Sequence, residues 1–253
     1  MVELSREHLE FISKYFPTHY KTPERFREYL LPKIHLRETL CTVVKAEIDT
    51  ELNPLIEQYK HRFFCRIDDT QLLKSPTSIV DKLYRSYKER PTNDVPDSGH
   101  YDLENSVTTM TDLARFRIVC NFLSDVTKVS EKIENSENLN SFFDIKQKSS
   151  VNQRPKDRKS GERSIKFTME YKKRPGLFLE IQVMTQLQEA WDKKDHFLVY
   201  EKHRQAPDKD DECFPDFLDA KMLAMSELLY VADNYFDELR ASREYKNNNE
   251  VTS

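Results

Sequence analysis

The stretch LFLEIQVMTQLQEAWDKKDH, Leu177–His196, changes period halfway along. Leu179, Ile181 and Val183 bracket Glu180 and Gln182 at steps of two, which predicts a strand with a carboxylate and an amide sharing one face. From Gln186 the pattern turns helical through QLQEAWDKKDHFLVYEK. That helix brings Trp191, Asp195 and Tyr200 together, with His196 one position on. A lone strand Glu also serves as half of an ordinary salt bridge, so the rest of the chain has to decide its role.

Immediately upstream, RSIKFTMEYKK predicts a second strand, joined to the first by the turn residues RPG at Arg174–Gly176. Before it lie a basic loop, VNQRPKDRKSGE, and another strand in SFFDIKQKSS. Further back, DLARFRIVCNF from Asp112 alternates and is rich in β-branched residues, and SDVTKVSEKIE follows as a short helix. SPTSIVDKLYRSYKE is a helix with Ser75 as N-cap and Pro76 in the first helical position. From Thr22 to Lys60 apolar residues recur at helical spacing, with Pro32 and Pro54 predicting two or three pieces. From Pro215, Leu218, Met222, Met225, Leu229, Ala232, Phe236 and Leu239 form a stripe read as core packing. The expected architecture is α+β: a mixed four- or five-stranded sheet flanked by N-terminal and C-terminal helices. Its parts are a helical region over 1–62, a core over 63–202, a C-terminal helix over 203–246 and a disordered tail over 247–253.

Composition narrows the function. The chain has 253 residues and a net charge of -4, so no global basic footprint marks a nucleic-acid binder. Three glycines, Gly99, Gly161 and Gly176, are too few and too scattered for a P-loop or a dinucleotide fingerprint. Bound phosphates would therefore be held by side chains. Four cysteines without CxxC spacing read as free thiols. No apolar run reaches membrane-spanning length and no signal peptide opens the chain, so a cytoplasmic protein without membrane association is expected.

Four clusters carry chemistry. Lys74 and Ser75 precede a helix that carries Ser78, Lys82 and Arg85 on one face, an arrangement suited to a polyphosphate but shared with any solvated amphipathic helix. Asp112 opens a strand on which Arg115 and Arg117 project together, as outward charges on an edge strand also would. RKSGERSIKF is a basic loop feeding a strand, or a plain surface hairpin. The fourth is Glu180 and Gln182 with the helix behind them. Together, Asp112 and Glu180 on neighbouring strands can supply oxygen ligands to Mg²⁺, and Lys74, Lys82, Arg85 and Arg117 can surround a triphosphate.

These residues resemble the RelA/SpoT-type (p)ppGpp synthetase domain, in the form of a small stand-alone alarmone synthetase. The matching positions are Lys74-Ser75-Pro76-x-Ser78 with Lys82, Asp112-Leu-Ala-x-Phe-Arg117, Gly161-x-Arg163-Ser164-Ile165, and Glu180-Ile-Gln182-x-x-Thr185 with Trp191, His196 and Tyr200. They occur in the family's order over about Arg66–Lys202. The resemblance implies a nucleotidyltransferase-like synthetase fold and a pyrophosphokinase that moves the β,γ-pyrophosphate of ATP to the 3′-hydroxyl of a nucleotide. It implies Asp112 and Glu180 as catalytic Mg²⁺ ligands, with Glu180 also helping to deprotonate the acceptor. It implies Lys74, Ser75, Ser78, Lys82, Arg85 and Arg117 on ATP, and Arg158, Glu162, Ser164, Lys166, Gln182, Asp195 and His196 on the acceptor. A homo-oligomer is compatible with it.

The sequence departs from the family mainly on the acceptor side. Glu162 stands where the family has a tyrosine that stacks on guanine, and Lys166 where it has histidine. Arg115 replaces a glycine, Leu72 a basic residue, and Asp195 a glutamate. The acceptor therefore stays open between GDP or GTP, an adenine nucleotide and the 3′ end of tRNA. A non-catalytic nucleotide-sensing or protein-binding module on the same fold is the alternative.

Overall fold

The computed structural model describes residues 6–16, 21–59, 63, 65–70, 72–88, 102–147, 161–200 and 213–250. Arg158 and most of the basic loop lie outside the described residues.

The expected hairpin forms. β4 (Ile165–Tyr171) and β5 (Phe178–Thr185) pair antiparallel with Thr168 opposite Glu180 and Lys166 opposite Gln182. Gly176 closes the turn at φ +81, a conformation in which a Cβ would be strained. β5 also pairs with β2 (Arg115–Cys120), but in parallel, so Arg115 faces Glu180 and Arg117 faces Gln182. β3 (Phe143–Gln147) joins the outer side of β4, and β1 (Cys65–Asp68) the outer side of β2. The result is one mixed sheet of five strands in the order β1-β2-β5-β4-β3, an α+β fold.

Period-two alternation divides the sheet's faces. Phe116, Ile118 and Cys120 of β2, Ile165, Phe167 and Met169 of β4, and Leu179, Ile181 and Val183 of β5 enter one core. α2 (Pro23–Tyr59) and α5 (Leu123–Asn135) cover that face with Val44, Ile48, Leu52, Val126 and Val129. Burying each such side chain contributes roughly 1.5–3 kcal/mol. The opposite face carries Arg115, Arg117, Lys166, Thr168, Glu180 and Gln182. A second core forms where α1 (Arg6–Tyr15), the start of α2, α3 (Pro76–Lys88) and α4 (Leu103–Thr108) meet around Phe11, Phe26, Leu30, Ile79 and Leu83.

Several expectations need correction. Pro32 and Pro54 do not break α2, which runs unbroken for 37 residues. Each proline removes one backbone donor, and the buried row Phe26, Leu30, Ile34, Cys41, Val44, Ile48 and Leu52 holds the helix across both losses. Asp112 does not open a strand: it sits in the turn before β2, three residues ahead of Arg115. α6 (Glu137–Phe142), capped by Ser136, and the four-residue β1 were not foreseen. The helix α7 (Gln186–Asp195) passes into a π-helical turn over His196–Tyr200.

The C-terminal helix, α8 (Cys213–Glu250), continues into the stretch expected to be a tail. Its apolar stripe is only partly core. Met222 is buried and Leu229 and Ala232 half-buried, but Met225, Phe236 and Leu239 are exposed. The helix instead docks through polar groups. Thr185 Oγ1 donates to Asp233 at 2.6 Å, the Ser124 amide donates to Asp237 at 2.8 Å, and Trp191 Nε1 donates to the Met222 carbonyl at 2.8 Å. Among the described residues, no helix is long and apolar enough to cross a membrane.

Candidate active site

The polar sheet face and the start of α3 build the site. Ser75 Oγ accepts from the Ser78 amide at 3.2 Å, the N-cap expected of it. An isolated bridge between Leu73 and Ala114, with the Lys74 amide donating to the Leu113 carbonyl at 2.9 Å, fixes the segment before α3 against the one before β2. Lys74 thereby meets Asp112, 38 positions away, at 2.7 Å, and Lys82 from α3 reaches the other Asp112 oxygen at 2.6 Å. Burial opposes ionisation of Asp112, but the two ammonium groups outweigh it and hold the carboxyl well below its usual range. Burial in turn lowers the pKa of Lys74, against the pull of Asp112.

The second group lies on β2 and β5. Gln182 Nε2 donates to Glu180 Oε1 at 2.8 Å, and Arg117 Nε donates to Gln182 Oε1 at 3.1 Å. The far end of Arg117 pairs with Asp192 of α7 at 2.5 Å. Glu180, Gln182, Arg117 and Asp192 thus form a chain from the sheet to the helix behind it, with Glu180 and Gln182 both buried. This answers why two polar groups occupy one strand face: each is the other's hydrogen-bond partner.

The third group stands at the entry to β4. Glu162 accepts from Lys166 Nζ at 2.6 Å and from Ser164 Oγ at 2.9 Å. Burial would raise the Glu162 pKa, but Lys166, Ser164 and Arg117 prevail and lower it, so the carboxylate stays charged. Gly161 lies close against two helices. A Cβ there would lie 2.8 Å from Trp191 Cζ2 and 2.9 Å from Ser226 Cβ. Arg163 faces away from the site, pairing with Glu227 and lying 4.3 Å over the Tyr230 ring on α8.

Backbone pairing links the three groups: the Glu180 amide donates to the carbonyl of Ala114, two residues after Asp112, at 3.0 Å, and Lys166 pairs with Gln182. A cleft of about 250 Å³ opens at the Arg117–Asp192 end of the second group, lined by Asp68, Thr70, Arg115, Arg117, Asp192 and His196 among others, while Asp112 and Glu180 do not line it. Arg85 is not drawn to Asp112 but pairs with Asp81 at 3.2 Å. Asp195 is half-buried and His196 exposed at the π turn. Sequence reasoning missed Asp68, Thr70 and Asp192. Asp68 ends the short strand CRID, whose alternation is too brief to register, and Thr70 lies two residues beyond it, while Asp192 is marked only by its place beside Trp191.

The family described as "Region found in RelA / SpoT proteins" matches residues 72–205. No curated protein matches the sequence. Among solved structures, the small alarmone synthetase 1 from Bacillus subtilis is similar at 20% identity and TM-score 0.57, covering 88% of this chain and 99% of that one. The same enzyme bound to its product pppGpp gives 20% identity and TM-score 0.58, covering 88% of this chain and 99% of that one. A GTP pyrophosphokinase family protein from Streptococcus pneumoniae gives 20% and 0.55, covering 87% of this chain and 95% of that one. At such identity the likeness shows the fold.

Proposed function

The chain belongs to the RelA/SpoT family, and from that premise we propose that it is a Mg²⁺-dependent pyrophosphokinase. It transfers the β,γ-pyrophosphate of ATP to the 3′-hydroxyl of a nucleotide acceptor: the acceptor oxygen bonds to the β-phosphorus, the bond from that phosphorus to the α,β-bridging oxygen breaks, and AMP leaves. The observation that carries the reading is the convergence of Lys74 and Lys82 on Asp112 beside the sheet face that holds Glu180.

Asp112 and Glu180 would hold the metal. Mg²⁺ takes one or two carboxylates and completes its shell with phosphate oxygens and water. Two carboxylates fit that need, and among the described residues no group of three or more His, Cys, Asp or Glu competes as a denser site. When bound, the ion supplies positive charge to the transferring phosphoryl oxygens. Lys74 and Lys82 exchange Asp112 for ATP phosphates, so their charges stay compensated as one anion replaces another. Ser75 and Ser78 sit at the N-terminus of α3, where hydroxyls and amides can donate to phosphate. Glu180 uses the oxygen not bonded to Gln182 to accept the acceptor hydroxyl proton. Arg117, held by Gln182 and Asp192, spans the donor and acceptor sides.

The acceptor pocket is altered. Glu162 cannot stack on a base, and its two oxygens are engaged by Lys166 and Ser164. Losing an aromatic stack costs roughly 1–3 kcal/mol per base, so synthesis from free GDP or GTP is slow relative to some other acceptor. The engaged Glu162 also favours a second reading, nucleotide binding without turnover. Incubation with γ-³²P-ATP, Mg²⁺ and in turn GDP, GTP, ADP, ATP and deacylated tRNA separates the two. The first reading requires a labelled product that Glu180→Gln abolishes, and a gain with GDP in Glu162→Tyr. ATP binding without product from any acceptor leaves the second.

A further inference from the structure

A second cavity, of about 450 Å³, opens away from the polar sheet face, between α2, α4 and the β4–β5 turn. That size falls within the range of small-molecule sites. Its charged wall is uneven. Lys33 pairs with Glu104, lies 4.9 Å over the Tyr29 ring, and Tyr29 Oη donates to the same carboxylate at 3.3 Å, so that cation is compensated.

Arg37 and Arg174 are different. Arg37 is only 3% exposed. Its guanidinium donates to three carbonyls, those of Lys33 at 2.8 Å, Thr108 at 3.0 Å and Gly176 at 3.3 Å. Its buried Nε has no hydrogen-bond partner among the described residues. Burial, and then the field of Arg174, lower its pKa. Among the described residues no carboxylate lies within ion-pair distance of either guanidinium, and Glu28 sits exposed on the rim. A buried cation facing a like charge is unfavourable unless an anion joins it. The rest of the wall is suited to an organic body: Pro32, Leu36 and Leu177 are apolar and the Tyr29 ring is half-buried.

We propose that this cavity, with Arg37 and Arg174 as its cationic pair, binds the phosphate group of a small ligand at a site separate from the candidate active site. Guanidinium matches phosphate in shape and charge, and a phosphate dianion offsets both cations at once. Two of its lining residues lie close in sequence to the candidate carboxylates: Thr108 is four residues before Asp112, and Gly176 four before Glu180.

The test is calorimetric titration of the full chain with inorganic phosphate and with AMP, in the Lys82→Ala/Arg117→Ala background so that the donor side does not contribute. Binding is expected for at least one ligand, and adding Arg174→Gln, an exposed turn residue, is expected to weaken it fivefold or more. Arg37→Gln is expected to act likewise. If its three lost carbonyl contacts prevent folding, Arg174→Gln decides alone. AMP binding more tightly than phosphate, with the same dependence on Arg174, identifies a nucleotide ligand, and equal affinity identifies the bare phosphate group. No binding of either ligand at about 10 mM, or a change of less than fivefold in Arg174→Gln, overturns the proposal.

Discussion

Replacing Asp112 with Asn removes one negative charge from between two lysines and leaves the shape almost unchanged. In the native arrangement Asp112 is 14% exposed, Lys74 13% and Lys82 33%. A charge-assisted hydrogen bond is worth roughly 1.5–3 kcal/mol. The Lys82 bond, a third exposed to solvent, is worth about 1 kcal/mol. Asn keeps one acceptor oxygen but leaves the buried Lys74 ammonium without a counter-charge, so Asp112→Asn is expected to lose about 2–4 kcal/mol at neutral pH. The loss has a definite pH signature. Because the folded-state pKa of Asp112 is depressed, its contribution is complete above the unfolded value of about 3.9 and disappears as pH falls through the folded one. Urea unfolding followed by circular dichroism at about pH 7 and about pH 3 measures the difference between wild type and variant. That difference should narrow on acidification. Asp112→Asn/Lys74→Met should be less destabilised than Asp112→Asn, since no unpaired ammonium remains. A variant within about 0.5 kcal/mol of wild type at neutral pH, or a gap unchanged by acid, would refute the two-lysine clasp.

Asp233 should show the opposite pH dependence. Burial pushes its pKa up to about 6, so the folded state prefers the protonated form and is most stable below the unfolded pKa. About 3 kcal/mol is then lost as pH rises through 6, and Asp233→Asn should flatten that slope in unfolding measured from about pH 4 to about pH 8. Gly161→Ala should cost about 1–3 kcal/mol by overpacking against Trp191 and Ser226. Trp191 is the chain's single tryptophan, so a change in its fluorescence reports the displacement directly, and an unchanged spectrum with unchanged stability would contradict the close approach. Lys82→Ala and Arg117→Ala should each weaken ATP binding by calorimetry without unfolding the chain, and unchanged affinity in both would remove them from the donor site.

Local chemistry was legible in the sequence. The helix start at Ser75 and Pro76, the strand pair around Arg174–Gly176, the shift from strand to helix at Thr185 and the shared face of Glu180 and Gln182 all follow from spacings of a few residues, because capping, turn geometry and side-chain period act over that range. The choice of residue types also named the family and the candidate carboxylates. What the sequence could not supply was pairing across distance. That Asp112 is clasped by Lys74 and Lys82, and that Arg117 is shared between Gln182 and Asp192, depend on how distant segments are brought together, which decides which charges meet. The C-terminal helix makes the same point. Its periodic apolar stripe reads as core by itself, yet Asp233, Asp237 and the Met222 carbonyl dock it, so Met225, Phe236 and Leu239 remain exposed. Periodicity specifies that a helix has a face; only the elements packed around it determine which part of that face is buried, because burial belongs to the contact and not to the residue.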